Sequence, residues 1–229
     1  MPDSDIDNLM DTAVRHYDLG ELEAAAVTCR DILNRAPAHA GALNLLGSIL
    51  AYAGNFDQAV HLLKDAMVTG GANPSVLFNY GVALAGANRL VEAARAFKIA
   101  AEAAPKRADC WFNLGETYRR LGRPEDAVTA LSQAVALNPT DALHRLTLGD
   151  AYLQSGQPAQ AVEQFQTLVD LAPEELSAQN ALGVALRHAG NPAASEEVFK
   201  NLVAAHPGDP AVLNNYGLTL TERKKFSEA

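Results

Sequence analysis

Glycine recurs at a fixed interval of 34 residues, at Gly47, Gly81, Gly115, Gly149, Gly183 and Gly217. A fold built around one core has no use for glycine at constant spacing along most of its length. A stack of like units, each setting the same backbone position against the same neighbour, does. Four further columns keep the period. A small residue recurs at Ala25, Ala59, Ala93, Ala127, Ala161, Ser195 and Ala229. Proline recurs at Pro37, Pro105, Pro139, Pro173 and Pro207, with Gly71 in the missing slot. A second glycine series runs through Gly20, Gly54, Gly122, Gly156 and Gly190, with Asn88 and Lys224 as exceptions. A bulky apolar series runs through Leu63, Phe97, Leu131, Phe165 and Phe199, opened by Cys29. Self-similarity at such a period marks a solenoid or array of supersecondary units.

Each column has a physical reading. Trp111, Leu114 and Tyr118 are spaced i, i+3 and i+7, one face of a helix. Glycine inside a helix costs about 1 kcal/mol against alanine, so a chain that repeats it needs the missing side chain for close helix contact. Gly122 suits the left-handed stop of a first helix. Pro124, Pro158 and Pro192 suit the first turn of a second helix, where no amide bond is lost. Asn191 is placed to cap that helix. Pro139, Pro173 and Pro207 close it, because the residue before a proline avoids the helical region. The unit is therefore a helix, a turn and a second helix.

The stretch Trp111-Phe112-Asn113-Leu114-Gly115-Glu116-Thr117-Tyr118 resembles the first-helix signature of the tetratricopeptide repeat (TPR) family. Ala93 with Phe97, and Ala161 with Phe165, fit its second-helix signature. The resemblance implies an all-α fold, a right-handed TPR superhelix or α-solenoid of helix-turn-helix repeats. Residues 1–5 are then an N-terminal tail and 6–229 the TPR array. Its repeats span 6–39, 40–73, 74–107, 108–141, 142–175 and 176–209, with a partial repeat at 210–229. The first unit departs most from the pattern, with Ala13 in the glycine slot. Arg145 and Gln179 stand where the family has a large apolar residue, which predicts looser packing there.

Composition sets limits. The 229 residues are 48% hydrophobic and 6% aromatic, enough for a continuous core in one elongated array. Lys and Arg number 18 against 27 Asp and Glu, a net charge of −9. That balance argues against nucleic acid and anionic membranes as partners. No apolar run is long enough to cross a membrane. The acidic start, Met1 to Asp7, is not a secretory signal. Cys29 and Cys110 fall at unrelated repeat positions and read as reduced, packed side chains. A cytoplasmic protein is expected, and the Ala-rich, Lys-poor helices look bacterial. There is no phosphate-binding loop, His-Glu-x-x-His, Cys-x-x-Cys or Gly-x-Ser-x-Gly. No enzyme activity, cofactor or metal is expected of this chain. Acid pairs such as Glu174-Glu175 sit at helix starts and suit the helix dipole.

In TPR proteins the first helix of each unit lines a concave groove that takes peptides, and the resemblance places candidate partner-binding residues here. Groove asparagines would be Asn79, Asn113 and Asn215, interrupted by Thr147 and Ala181. In the similar region of O-linked N-acetylglucosamine transferases such asparagines grip a peptide backbone. The other reading is that they only belong to the repeat consensus. Charged and polar candidates are Glu116, Arg119, Arg120, Asp150, Gln154, Arg187 and His188. The arginines suit carboxylates of a partner; alternatively Glu116 pairs with Arg119 and Arg120 along its own helix. Nearer the N-terminus the groove is more apolar, with Tyr52, Phe78, Val82 and Gly86. The Lys-Asn, Asn, Lys-Arg clamp of chaperone-binding TPR cochaperones is not found in any three consecutive repeats, so binding of a chaperone C-terminus is not expected.

The expected function is a protein–protein interaction module, a scaffold or adaptor binding a protein or peptide in that groove. The alternative is the substrate-recognition arm of a larger enzyme, of glycosyltransferase or sulfotransferase type, whose catalytic domain follows Ala229. Ala229 falls on the small-residue position of a seventh second helix. The chain is thus expected to stop inside that helix, leaving an apolar end available for self-association.

Overall fold

The computed structural model of the chain describes residues 2–228, and the side chains of residues 5–224. All secondary structure among the described residues is helical. The chain divides into two compact units, Met1–Leu121 and Gly122–Ala229. The first holds α1 (Pro2–Asp18), α2 (Leu22–Arg35), α3 (Ala40–Tyr52), α4 (Phe56–Gly70), α5 (Pro74–Gly86), α6 (Leu90–Ala103) and α7 (Ala108–Arg120). The second holds α8 (Pro124–Leu137), α9 (Ala142–Gln154), α10 (Pro158–Leu171), α11 (Leu176–His188), α12 (Pro192–Ala205) and α13 (Pro210–Glu228). The odd-numbered helices are the first helices of the repeat, called A below; the even ones are B.

The columns of the sequence become the helix contacts. A Cβ added at Gly47 would lie 2.6 Å from Leu63; at Gly81, 2.7 Å from Phe97; at Gly149, 2.3 Å from Phe165; and at Gly183, 2.7 Å from Phe199. Each of these four glycines is the seat of the bulky B-helix residue 16 positions later. The bulky column is at most 1% exposed throughout, and the small column from Ala25 to Ser195 is fully buried. Ser195 replaces alanine without leaving a polar group unmet. Its hydroxyl donates to the Gly183 carbonyl at 2.8 Å and lies 3.0 Å from Thr219 Oγ1.

The turns follow the other two columns. At the A–B turn of α5 and α6, Asn88 takes the left-handed conformation, φ 59°, that glycine takes in the neighbouring repeats. Asparagine is among the few residues that accept it. Asn191 caps α12, its side chain accepting from the Ala194 amide at 3.2 Å. Helices α8, α10 and α12 end two residues before Pro139, Pro173 and Pro207.

Arg145 and Gln179 are hydrogen-bonded at the start of their helices, and the expectation for the C-terminal end is corrected. Arg145 donates from Nε and Nη2 to the Pro139 carbonyl at 3.1 and 2.8 Å, and from Nη1 to Gln164 at 2.9 Å. Gln179 donates to the Pro173 carbonyl, and Trp111 to the Pro105 carbonyl at 3.0 Å. In these three repeats the slot holds a long side chain whose far end carries an N–H, whereas Leu43, Leu77 and Leu213 fill it with an apolar one. At the C-terminal end, no turn forms at Lys224: α13 runs unbroken from Pro210 to Glu228. Lysine has none of the left-handed tolerance of Gly or Asn, so the A helix continues. Ala229 lies outside the described residues.

Candidate functional site

Within each unit successive A helices touch one another: α3 with α5 and α5 with α7 in the first, α9 with α11 and α11 with α13 in the second. Their contacts run on a diagonal of 35 residues rather than on the repeat of 34. Asn79 donates to the Asn44 side-chain oxygen at 3.0 Å, and Asn215 to that of Asn180 at 3.0 Å. Asn113 donates to the Asp109 carbonyl of its own helix at 2.8 Å. Each of the three asparagines thus makes a hydrogen bond within the A-helix layer of its own unit.

The charged candidates are also engaged. Glu116 and Arg119 form a two-point pair, both bonds 2.9 Å. Arg120 does not share it. It reaches back along the same diagonal to the Ala85 carbonyl at 3.2 Å, and also donates to Asn88 of the following turn at 3.4 Å. Arg107 forms a cluster that no sequence motif marks. Its guanidinium stacks 4.4 Å above the Phe78 ring, pairs with Asp109 at 2.9 Å and reaches Ser75. Phe78 also lies 5.8 Å from Phe97, ring centre to ring centre. A Cβ at Gly86 would strike the Phe56 ring at 2.2 Å. Phe78 and Gly86 thus belong to packing, whereas Tyr52 stands 83% exposed.

In the second unit Asp150 is half-buried, while Gln154 and His188 are exposed. Arg187 is largely enclosed. Its side chain is 11% exposed, and Nη1 donates to Glu222 of α13 at 2.8 Å. Its Nε is buried with no hydrogen-bond partner among the described residues.

Two cavities open at the other end of these A helices. One of about 280 Å³ is bounded by Leu143, Leu146, Leu168, Ala178 and Glu175. The next, of about 300 Å³, is bounded by Glu175, Ser177, Asn180, Asp209 and Val212. The second repeats the first one unit later, Leu143 becoming Ser177 and Leu146 becoming Asn180. Glu175 read only as a helix-start acid, and the signal that marks it is its column, shared with Asp141 and Asp209.

Cys29 and Cys110 are buried, and burial pushes both thiols up to about 11, away from the reactive thiolate. Among the described residues no three His, Cys, Asp or Glu side chains gather as a metal site. No helix among them is long and apolar enough to cross a membrane.

Comparison with known proteins agrees with the helix pairs. The tetratricopeptide repeat family matches at residues 45–108, 146–210 and 185–229, and a second tetratricopeptide repeat family at 108–141. The chain belongs to the tetratricopeptide repeat family. No curated protein sequence matches it. Among solved structures, that of PilF from Pseudomonas aeruginosa is similar at TM-score 0.74 and 19% identity, covering 96% of this chain and 98% of that one. YrrB, a TPR protein with an unusual peptide-binding site, is similar at TM-score 0.72 and 19% identity, over 81% of this chain and 96% of its own. The MamA protein is similar at TM-score 0.64 and 21% identity, over 72% and 90%. At these identities the likeness is one of fold.

Proposed function

We propose that this chain is a protein–protein interaction scaffold that binds a peptide or protein segment on the face its A helices present. The observation that carries the reading is the division of labour between the helices. The B-helix bulky column is consumed by packing, whereas the A helices keep Tyr52, Gln154 and His188 in solvent at their C-terminal ends, and those of the second unit open cavities of a size for side chains at their N-terminal ends. The peptide-binding site of YrrB supports the reading by analogy of fold alone. Glu116, Arg119 and Arg120 supply polar groups on the A helices of the first unit, and Asp150, Gln154 and His188 on those of the second. Arg187 joins the latter only when α13 releases Glu222.

A photoreactive amino acid at Gln154 or His188, and as a control at exposed Val68 or Val91 of the B helices, tests this in cells of the source organism. A defined crosslinked partner from the A-helix positions alone is the expected result. Equal crosslinking from both sets overturns the reading.

A second contact is favoured by α13. Leu213 and Leu220 are 44% and 41% exposed, and a Cβ at Gly217 would meet nothing within 4 Å. In the preceding units this face carries a B helix. We propose that it mediates self-association of the chain.

A further inference from the structure

Three acidic residues open the A helices of the second unit: Asp141 before α9, Glu175 before α11 and Asp209 before α13. Both aspartates are spent on their helices. Asp141 accepts from the His144 amide at 3.0 Å, and Asp209 from the Ala211 and Val212 amides, each at 2.9 Å. Glu175, one methylene longer, makes no capping bond. Its carboxylate accepts from the Ser177 hydroxyl at 2.8 Å and stands exposed between the two cavities, lining both.

The cavities differ in chemistry. The first is walled by leucine and alanine, and its Leu143 remains 58% exposed. The second offers a hydroxyl from Ser177, an amide from Asn180 and the carboxylates of Glu175 and Asp209. No lysine or arginine lines either cavity. The arginines that could have drawn an acidic ligand are engaged elsewhere: Arg187 by Glu222 and Arg145 by Gln164 and the Pro139 carbonyl. The uncompensated charge at this place is therefore negative.

The repeat fixes the spacing. Packed helices lie about 8–10 Å apart, so equivalent cavities on neighbouring A helices are separated by about that distance. In polyproline II, residues i and i+3 project on one side, about 9 Å apart. A flat strand puts same-side residues at about 7 or 13 Å and fits neither pocket pair.

From this we infer that the two cavities form a two-pocket site for a polyproline-II segment carrying an aliphatic side chain and, three residues away, a lysine or arginine. The aliphatic group fills the Leu143–Ala178 pocket and the cation meets Glu175 over the second. The inference rests on the A-helix binding face proposed above and names the chemistry of its ligand in the second unit, reversing the charge that the groove arginines suggest.

The test titrates the ¹⁵N-labelled full chain with the capped peptides Pro-Leu-Pro-Pro-Lys-Pro and Pro-Lys-Pro-Pro-Leu-Pro, up to about 1 mM. Controls carry Glu for Lys, or Ser for Leu. At least one of the two basic–aliphatic peptides should shift the amide resonances of Leu143, Ser177 and Ala178 and bind more tightly than either control. Glu175→Gln should weaken it about three- to fivefold and remove most of its salt dependence. Leu143→Ser should weaken it about tenfold, with circular dichroism and melting of both variants unchanged. Equal affinity for the Glu-containing peptide, shifts mapping elsewhere, or no shift with either basic–aliphatic peptide would each overturn the inference. Partner crosslinking from Gln154 together with any of those results would leave the A-helix face standing and this ligand chemistry refuted.

Discussion

The glycine column separates positions that look identical in sequence. Gly149 and Gly217 occupy the same slot, yet a Cβ at the first would sit 2.3 Å from the Phe165 ring and at the second would meet nothing within 4 Å. Gly149→Ala forces the phenylalanine or a helix to move, at a cost of about 1–3 kcal/mol. Gly217→Ala meets no such neighbour and gains helix propensity, stabilising by up to about 1 kcal/mol. Urea unfolding of the two variants against wild type checks both signs, and two destabilised proteins would contradict the account. The need for glycine at the helix crossing was legible in the period alone, as was the small column beside it. The use of the Trp111, Arg145 and Gln179 slot was not. Hydropathy separates these residues, and only the Pro105, Pro139 and Pro173 carbonyls show that they share a terminal N–H donor.

Helix boundaries read well from the sequence wherever Gly, Asn or Pro marks them, and poorly at α13, where Lys224 leaves no signal to stop. The candidate site was harder, because columns compare residue n with n+34 while side chains of adjacent A helices meet at n+35. Asn44 with Asn79, Asn180 with Asn215 and Arg187 with Glu222 all lie on that diagonal. It places these side chains in helix–helix bonds that a column comparison does not show. The last of these fastens α13, along with buried Val212 and Thr219. Glu222→Ala leaves the Arg187 charge nearly enclosed and should cost about 1.5–3 kcal/mol. Arg223→Ala breaks the pair with Glu196, but Arg223 is 55% exposed, so water screens the pair and the loss should be small beside the first. Amide exchange reports the difference: Glu222→Ala should speed exchange in α13 and leave α9 and α10 protected. Equal effects from the two alanines would remove the special status of the Arg187 contact.

At the scale of the whole molecule the relevant quantity is charge. The chain carries a net −9, so two copies meeting through the α13 face repel while Leu213 and Leu220 attract. The repulsion is screened over about 10 Å at 0.1 M salt and about 3 Å at 1 M, whereas apolar burial is not weakened by salt. Self-association through this face should therefore strengthen as sodium chloride is raised. A dimer built on ion pairs would do the reverse. Sedimentation velocity over a dilution series at low and high salt distinguishes them. Leu213→Glu with Leu220→Glu should hold the chain monomeric at every salt concentration, because it adds charge at the place where the two copies would lose water. A wild-type chain that stays monomeric at high salt and high concentration would show that the α13 face does not join copies of this protein.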